Sequence, residues 1–202
     1  ATAQLLAAEG CRIALFARTQ ENLDKTAAEL RSRSGAEVIT VAGDQRKPGD
    51  VARLVDSVKA KWGAPDILVL ITARSPHPSR EVLKENERDR WEWAFENNLM
   101  GAVNVVSLVA PLMIEKRWGR IVSINSATVK QPMTRHGLST VFRSGLAGYL
   151  KHLANESAQY GVTVNMIGPA SIGTETFMGR ADANERAKTV PMGRLGKPEE
   201  CA

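Results

Sequence analysis

Cysteine is scarce in this sequence: Cys11 and Cys201 are the only two in 202 residues, they lie near opposite ends, and no metal-ligand spacing surrounds them. No metal site is therefore expected, and so few cysteines without a secretory signal fit a reducing cytoplasm. Aromatic residues make up only 5% of the chain. Lys and Arg number 27 against 22 acidic residues, and the formal charge of +5 is scattered rather than clustered. With no basic stripe carrying interleaved aromatics, nucleic acid is not an expected partner. The densest charged stretch, Glu81 to Arg90, alternates in sign as a solvated helix face does. No apolar run approaches the roughly 18 residues that span a bilayer, so no membrane partner is expected either.

What the chain has is hydrophobic residues at 43% of the total, enough for a sizeable core in one globular unit. They fall into short β-branched runs that alternate with longer helical periods. Strands are read at 12–17, 37–42, 66–71, 120–125 and 163–167, and helices at about 19–34, 47–62, 90–117 and 140–160. Residues 1–10 (ATAQLLAAEG) read as the body of an amphipathic helix, and Pro198 opens another helix near the end. The stretch Asp66 to Ile71 is nearly all apolar, as in a strand buried on both faces. This alternation predicts right-handed βαβ units and an α/β fold with a doubly wound parallel sheet, a Rossmann-type three-layer sandwich. Ile13, Leu15, Ile39, Leu68, Val69, Val122, Ile124 and Val164 are expected to be buried in it. Such sheets bind ligands outside the carboxyl ends of their strands, which singles out Arg18, Asp44, Thr72, Ser126 and Pro169.

Four segments carry a resemblance, and they occur in order along the chain: WAFENNLMG from Trp93 to Gly101, GRIVSINS from Gly119 to Ser126, YGVTVNMIGP from Tyr160 to Pro169, and PMGRLGKPEE from Pro191 to Glu200. Together they resemble the short-chain dehydrogenase/reductase family, in its β-ketoacyl reductase style, across essentially the whole length. The resemblance implies a single dinucleotide-binding domain over 1–202, expected to lack the glycine-rich loop before Ala1 and the C-terminal end. It also implies catalytic roles for Asn98 and Ser126, and cofactor contacts for Asp44, Thr72, Pro169, Ile172 and Thr174. Arg18 would accept the 2′-phosphate of NADP(H), since Ala17 stands where a relative preferring NAD(H) carries an acid. Simpler readings stand beside these. Arg18 can be a solvated helix-start residue, Asp44 a cap, Asn98 a bond-maker in a kinked helix, and Ser126 a strand-end hydrogen-bonder.

The family's Tyr-x-x-x-Lys pair is where the sequence departs. Counting thirteen residues from Ser126 reaches Ser139, and four more reach Arg143. The family tyrosine exchanges a proton with the substrate oxygen, helped by a lysine that lowers a phenol pKa of about 10. Serine is shorter and a far weaker acid, and arginine does not release its proton. Ser139 and Arg143 are thus expected to keep position, with Arg143 holding the nicotinamide ribose, while acid–base power is lost. His136, three residues before Ser139, is the alternative proton donor. Two turn glycines of the family are also replaced, by Ala73 and Ala170. Two functions follow: an NADP(H)-dependent oxidoreductase acting on a small carbonyl or alcohol, such as a 3-oxoacyl thioester, or a catalytically impaired nucleotide-binding relative serving as sensor or structural subunit. A homodimer or homotetramer is expected through the helices at 90–117 and 140–160. Val105, Leu108, Val109, Leu112, Leu146, Leu150 and Leu153 read as a surplus apolar face there.

Overall fold

Helix and strand alternate in the computed structural model, which describes residues 1–179 and 182–202. Helix α1 (Thr2–Ala8) leads into strand β1 (Ile13–Ala17), and α2 (Gln20–Ser34) into β2 (Val38–Ala42). Helix α3 (Pro48–Trp62) starts on a proline, whose fixed φ suits a first helical turn, and precedes β3 (Ile67–Ile71). Helix α4 (Arg88–Phe95), a π-turn (Glu96–Met100) and α5 (Gly101–Glu115) form one long element before β4 (Gly119–Ile124). Helix α6 (Gly137–Ser157) then precedes β5 (Val162–Ile167), and the short helices α7 (Glu175–Met178) and α8 (Ala183–Lys188) follow.

Every strand pairing among the described residues is parallel, in the order β1-β2 and β3-β4-β5. The fold is the Rossmann-like α/β arrangement that the alternation predicts. It differs from the expected continuous sheet in that β1 and β3 each keep one unpaired edge. The buried set also differs. Ile13 is 7% exposed, but Leu15, Ile39, Leu68, Val69, Val122, Ile124 and Val164 are only partly buried. The most fully covered apolar strand positions are Val38, Leu70, Ile121 and Val162, which face the helices. On the opposite face of β3, Ile67 and Ile71 remain 39% and 60% exposed.

Two apolar clusters hold the elements. One joins α1 and α2 to β1 and β2 through Ala7, Ile13, Ala27, Leu30 and Val38. The other packs α3, α5 and α6 on β3, β4 and β5, around Val51, Val106, Met113, Ile121 and Leu146. Close approach there requires a residue without a side chain. A Cβ at Gly119 would lie 2.6 Å from Met113 Cβ, so Gly119→Ala is expected to destabilise the fold by about 1–3 kcal/mol in urea unfolding, the usual cost of overpacking.

This second cluster corrects the surplus apolar face. Val105, Val109, Leu146 and Leu150 lie inside it, and Leu112 and Leu153 pack against it. Of the seven, Leu108 alone is exposed, at 38%. Helices α5 and α6 bury more than one stripe because they pack on each other as well as on the strands, α5 also on α3 and α6 also on α4. The element from Arg88 to Glu115 is also long and apolar enough, by length and composition, to cross a membrane. Half of its apolar stretch is buried within the fold, as a core helix requires.

Candidate functional site

The π-turn exists because two adjacent asparagines compete with the helical ladder. Asn97 Nδ2 donates to Trp93 O at 2.8 Å, and Asn98 Nδ2 to Ala94 O at 3.2 Å, widening the turn as back-bonding side chains do. Asn98 is wholly buried, and its Oδ1 has no partner. The loop after β2 is pinned to this turn: Gln45 Nε2 donates to Asn97 O at 3.3 Å, and Asn104 Nδ2 to Gln45 O at 3.1 Å.

Ser126 follows β4 and caps the single turn Ala127–Val129. Its Oγ accepts from Thr128 N at 3.3 Å and from Thr128 Oγ1 at 3.0 Å, which leaves its own proton free to donate. Ser139 stands half-buried in the first turn of α6 with no hydrogen-bond partner among the described residues. One turn on, Arg143 is only 7% exposed. Its Nη1 donates to Asn125 O at 3.2 Å and its Nη2 to Ala73 O at 3.0 Å, while Asn125 Nδ2 donates to Arg143 O at 3.2 Å. The guanidinium thereby brackets the carboxyl ends of β3 and β4. Burial pushes its pKa down, yet an arginine there stays charged, and no carboxylate pairs with it among the described residues. Its Nε is unpartnered, as are the neighbouring Asn125 Oδ1 and Thr72 Oγ1. Buried polar atoms without partners are uncommon and ask for a ligand or water.

At the other end of the cleft, Arg18 is exposed and unpartnered among the described residues. It lies close enough to Asp44 to help hold that carboxyl below the usual range, although Arg46 is the larger cause. Arg46 forks onto Asp44 with Nε at 3.0 and 2.9 Å and Nη2 at 2.5 Å. Pro169 O accepts from Ala127 N at 3.0 Å, tying the loop after β5 to the turn at Ser126. Ile172 forms a parallel bridge to Gly196. Thr174 caps α7, its Oγ1 accepting from Phe177 N at 3.3 Å. His136 is half-buried, with Nδ1 2.9 Å from Thr134 O, which makes that nitrogen a donor. Neither Ala73 nor Ala170 has a positive φ, so both replacements sit without backbone strain.

The strand ends thus bring Thr72, Ser126, Arg143 and Pro169 together around β3, β4 and β5, and Arg18 and Asp44 together around β1 and β2. Two features escape the sequence reading. Asn125, read only as the end of a strand, orients Arg143. Arg194 forks onto Glu200 at 2.8 and 2.7 Å, and Lys197 N donates to Glu200 at 2.6 Å, so the late Gly-Arg-x-Gly-x-Pro-Glu-Glu pattern folds on itself. Charge alternation at three- and six-residue spacing is the signal that could have found it.

Comparison with known proteins adds four findings. The family described as enoyl-(acyl carrier protein) reductase matches residues 1–202. Nodulation protein G of Azospirillum brasilense is 32% identical over 99% of this chain and 81% of its own length. The 3-oxoacyl-acyl-carrier-protein reductase FabG of Salmonella typhimurium is 30% identical over all of this chain and 81% of its own. Among solved structures, an NADPH-bound short chain oxidoreductase from Pseudomonas aeruginosa, which contains an atypical catalytic center, superposes with a TM-score of 0.90 at 25% identity, covering 99% of this chain and 80% of that one.

Proposed function

Because this chain belongs to the short-chain dehydrogenase/reductase family, we propose that it is an oxidoreductase moving a hydride between NADP(H) and a small carbonyl or alcohol, with 3-oxoacyl thioesters as the leading substrate class. The observation that carries this reading is the set of unpartnered polar atoms at one end of the cleft, on Thr72, Asn98, Asn125 and Arg143, together with a free Arg18 beside Asp44 at the other. The Pseudomonas relative with an atypical center holds NADPH, and the Salmonella relative is a 3-oxoacyl reductase; both support it. When bound, the nicotinamide would supply or accept the hydride. Arg18 would take the 2′-phosphate, and Asp44, braced by Arg46, would face the adenine. Thr72, Pro169, Ile172 and Thr174 would line the nicotinamide half, and the donors that Arg143 has left over would reach the ribose.

In this reading Asn98 and Ser126 orient the substrate oxygen, with Ser126 donating its free proton as a hydrogen bond. Ser139, or a water held at its hydroxyl, moves the proton. The second reading, a nucleotide-binding relative without turnover, is favoured by one observation: the Arg143 guanidinium is committed to two backbone carbonyls and does not stand free beside a proton donor. Residues 1–202 would act as one nucleotide-binding domain in a cytoplasmic homodimer or homotetramer. Titration with NADPH and NADH tests the cofactor assignment. Arg18→Ala is expected to weaken NADPH about tenfold, the loss of one charge-assisted contact, and to leave NADH nearly unchanged. Failure of both nucleotides to bind, or equal loss for both, overturns it.

A further inference from the structure

We propose a second ligand site outside this cleft: the cavity between Val82 and the start of α6 binds a small amphiphile, with an alkyl chain against Val82, Met133 and Val141 and a carboxylate head on Arg135. The cavity measures about 410 Å³, within the range of small-molecule sites. Its walls are Val82, Pro132, Met133, Thr140 and Val141, with Arg135 at the edge. Val82 is 54% exposed, Met133 38% and Val141 47%, and Leu83 beside them is 94% exposed. Large apolar side chains gathered in the open mark a binding surface more often than chance placement does.

Charge and hydrogen bonding name the occupant. Glu81 at the cavity edge is neutralised by Lys84 at 2.8 Å, and Arg80 by Glu87 at 2.5 Å. Arg135 has no ion pair or hydrogen bond among the described residues, and its backbone is held at φ 63°, a conformation that a non-glycine residue rarely adopts. It also borders the adjoining cavity of about 390 Å³ that contains Arg80 and Lys84. The uncompensated charge is therefore positive and sits where the apolar wall ends. Thr140 lines the same cavity, although its Oγ1 is buried. Gly137 and Val141 lie two residues either side of Ser139, about 200° round the helix at 3.6 residues per turn. The site thus faces away from Ser139 and Arg143 and does not depend on the reductase reading.

Calorimetric titration of the full chain with sodium octanoate, 1-octanol and octyltrimethylammonium, with and without saturating NADPH, tests the site. Octanoate is expected to bind, octanol more weakly, and the cation not measurably. Arg135→Gln should weaken octanoate by about tenfold, as the loss of one charge-assisted contact does, while leaving octanol unchanged. Val141→Asp and the milder Met133→Ser should each weaken both, with circular dichroism confirming that the variants fold. NADPH should not compete. Absence of octanoate binding, indifference to Arg135→Gln, or competition by NADPH overturns the proposal; competition would place the ligand in the cleft.

Discussion

Ser139→Tyr combined with Arg143→Lys is expected to raise turnover on a simple ketone by about 10²–10⁴-fold, the span that a positioned acid–base group typically contributes. Ser139 and Arg143 lie one turn apart in α6, so their side chains share a face. Arg143 reaches the carboxyl ends of both β3 and β4. Ser139 is half-buried, and no partner among the described residues occupies its hydroxyl. A phenol there extends further toward Ser126 and ionises several pH units lower than a serine hydroxyl. A lysine one turn on, with a compact charge not held on two carbonyls as the Arg143 guanidinium is, can approach that phenol more closely and depress it further. The measurement is the steady-state rate of reduced-nicotinamide consumption by wild type and double variant at equal cofactor saturation. A variant that folds and binds NADPH but gains no rate contradicts the assignment of these two positions.

Arg90→Ala is expected to lower stability by about 3–5 kcal/mol, the cost of leaving a buried charge without its partner. Glu85 and Arg90 have side chains 3% and 11% exposed. They meet bidentately, Nε to Oε2 at 2.7 Å and Nη2 to Oε1 at 2.8 Å, and Nη2 also donates to Pro78 O at 2.8 Å. The pair ties the loop after β3 to α4, and through it to the turn that carries Asn98. The Arg90 hydrogen bonds hold the Glu85 carboxyl below its usual range. A depressed carboxyl stabilises the fold above its unfolded pKa of about 4.3 and loses that contribution as pH falls through the lower folded value. Urea midpoints measured from neutral pH downward should therefore fall for wild type below about pH 4, and the Arg90→Ala profile should be flatter there. A change under about 0.5 kcal/mol at neutral pH would show that the pair is solvent-screened like a surface contact.

Helix and strand positions were largely legible because burial on one face writes a period into the sequence. The runs at 13–17 and 67–71 and the helices α2 and α3 lie within one or two residues of where their apolar spacing puts them. What the period does not carry is which neighbour covers which face. Val69 and Val122 read as doubly buried because they are β-branched and sit among other apolar residues; in the fold their face is only partly covered. Leu146 and Leu150 read as surplus because one stripe satisfies a sheet, whereas α6 also packs on α5. Similarly, the late Gly-Arg-x-Gly-x-Pro-Glu-Glu segment reads as a signature to be matched, and its reason is a local fork between Arg194 and Glu200. The candidate site was legible where chemistry follows strand ends, as at Ser126 and Thr72. The bracket made by Arg143 was not, because its partners are backbone carbonyls far away in sequence.

The most direct test is the rate at which NADPH is consumed in a single turnover when the loaded protein is mixed with saturating acetoacetyl thioester, for wild type and for Ser139→Ala. NADPH is expected to bind and wild type to react at least about 10²-fold below the usual enzyme range of roughly 1–10³ s⁻¹, with Ser139→Ala slower still. Wild-type consumption within that range, untouched by Ser139→Ala, would contradict this expectation and make His136 the residue to replace next.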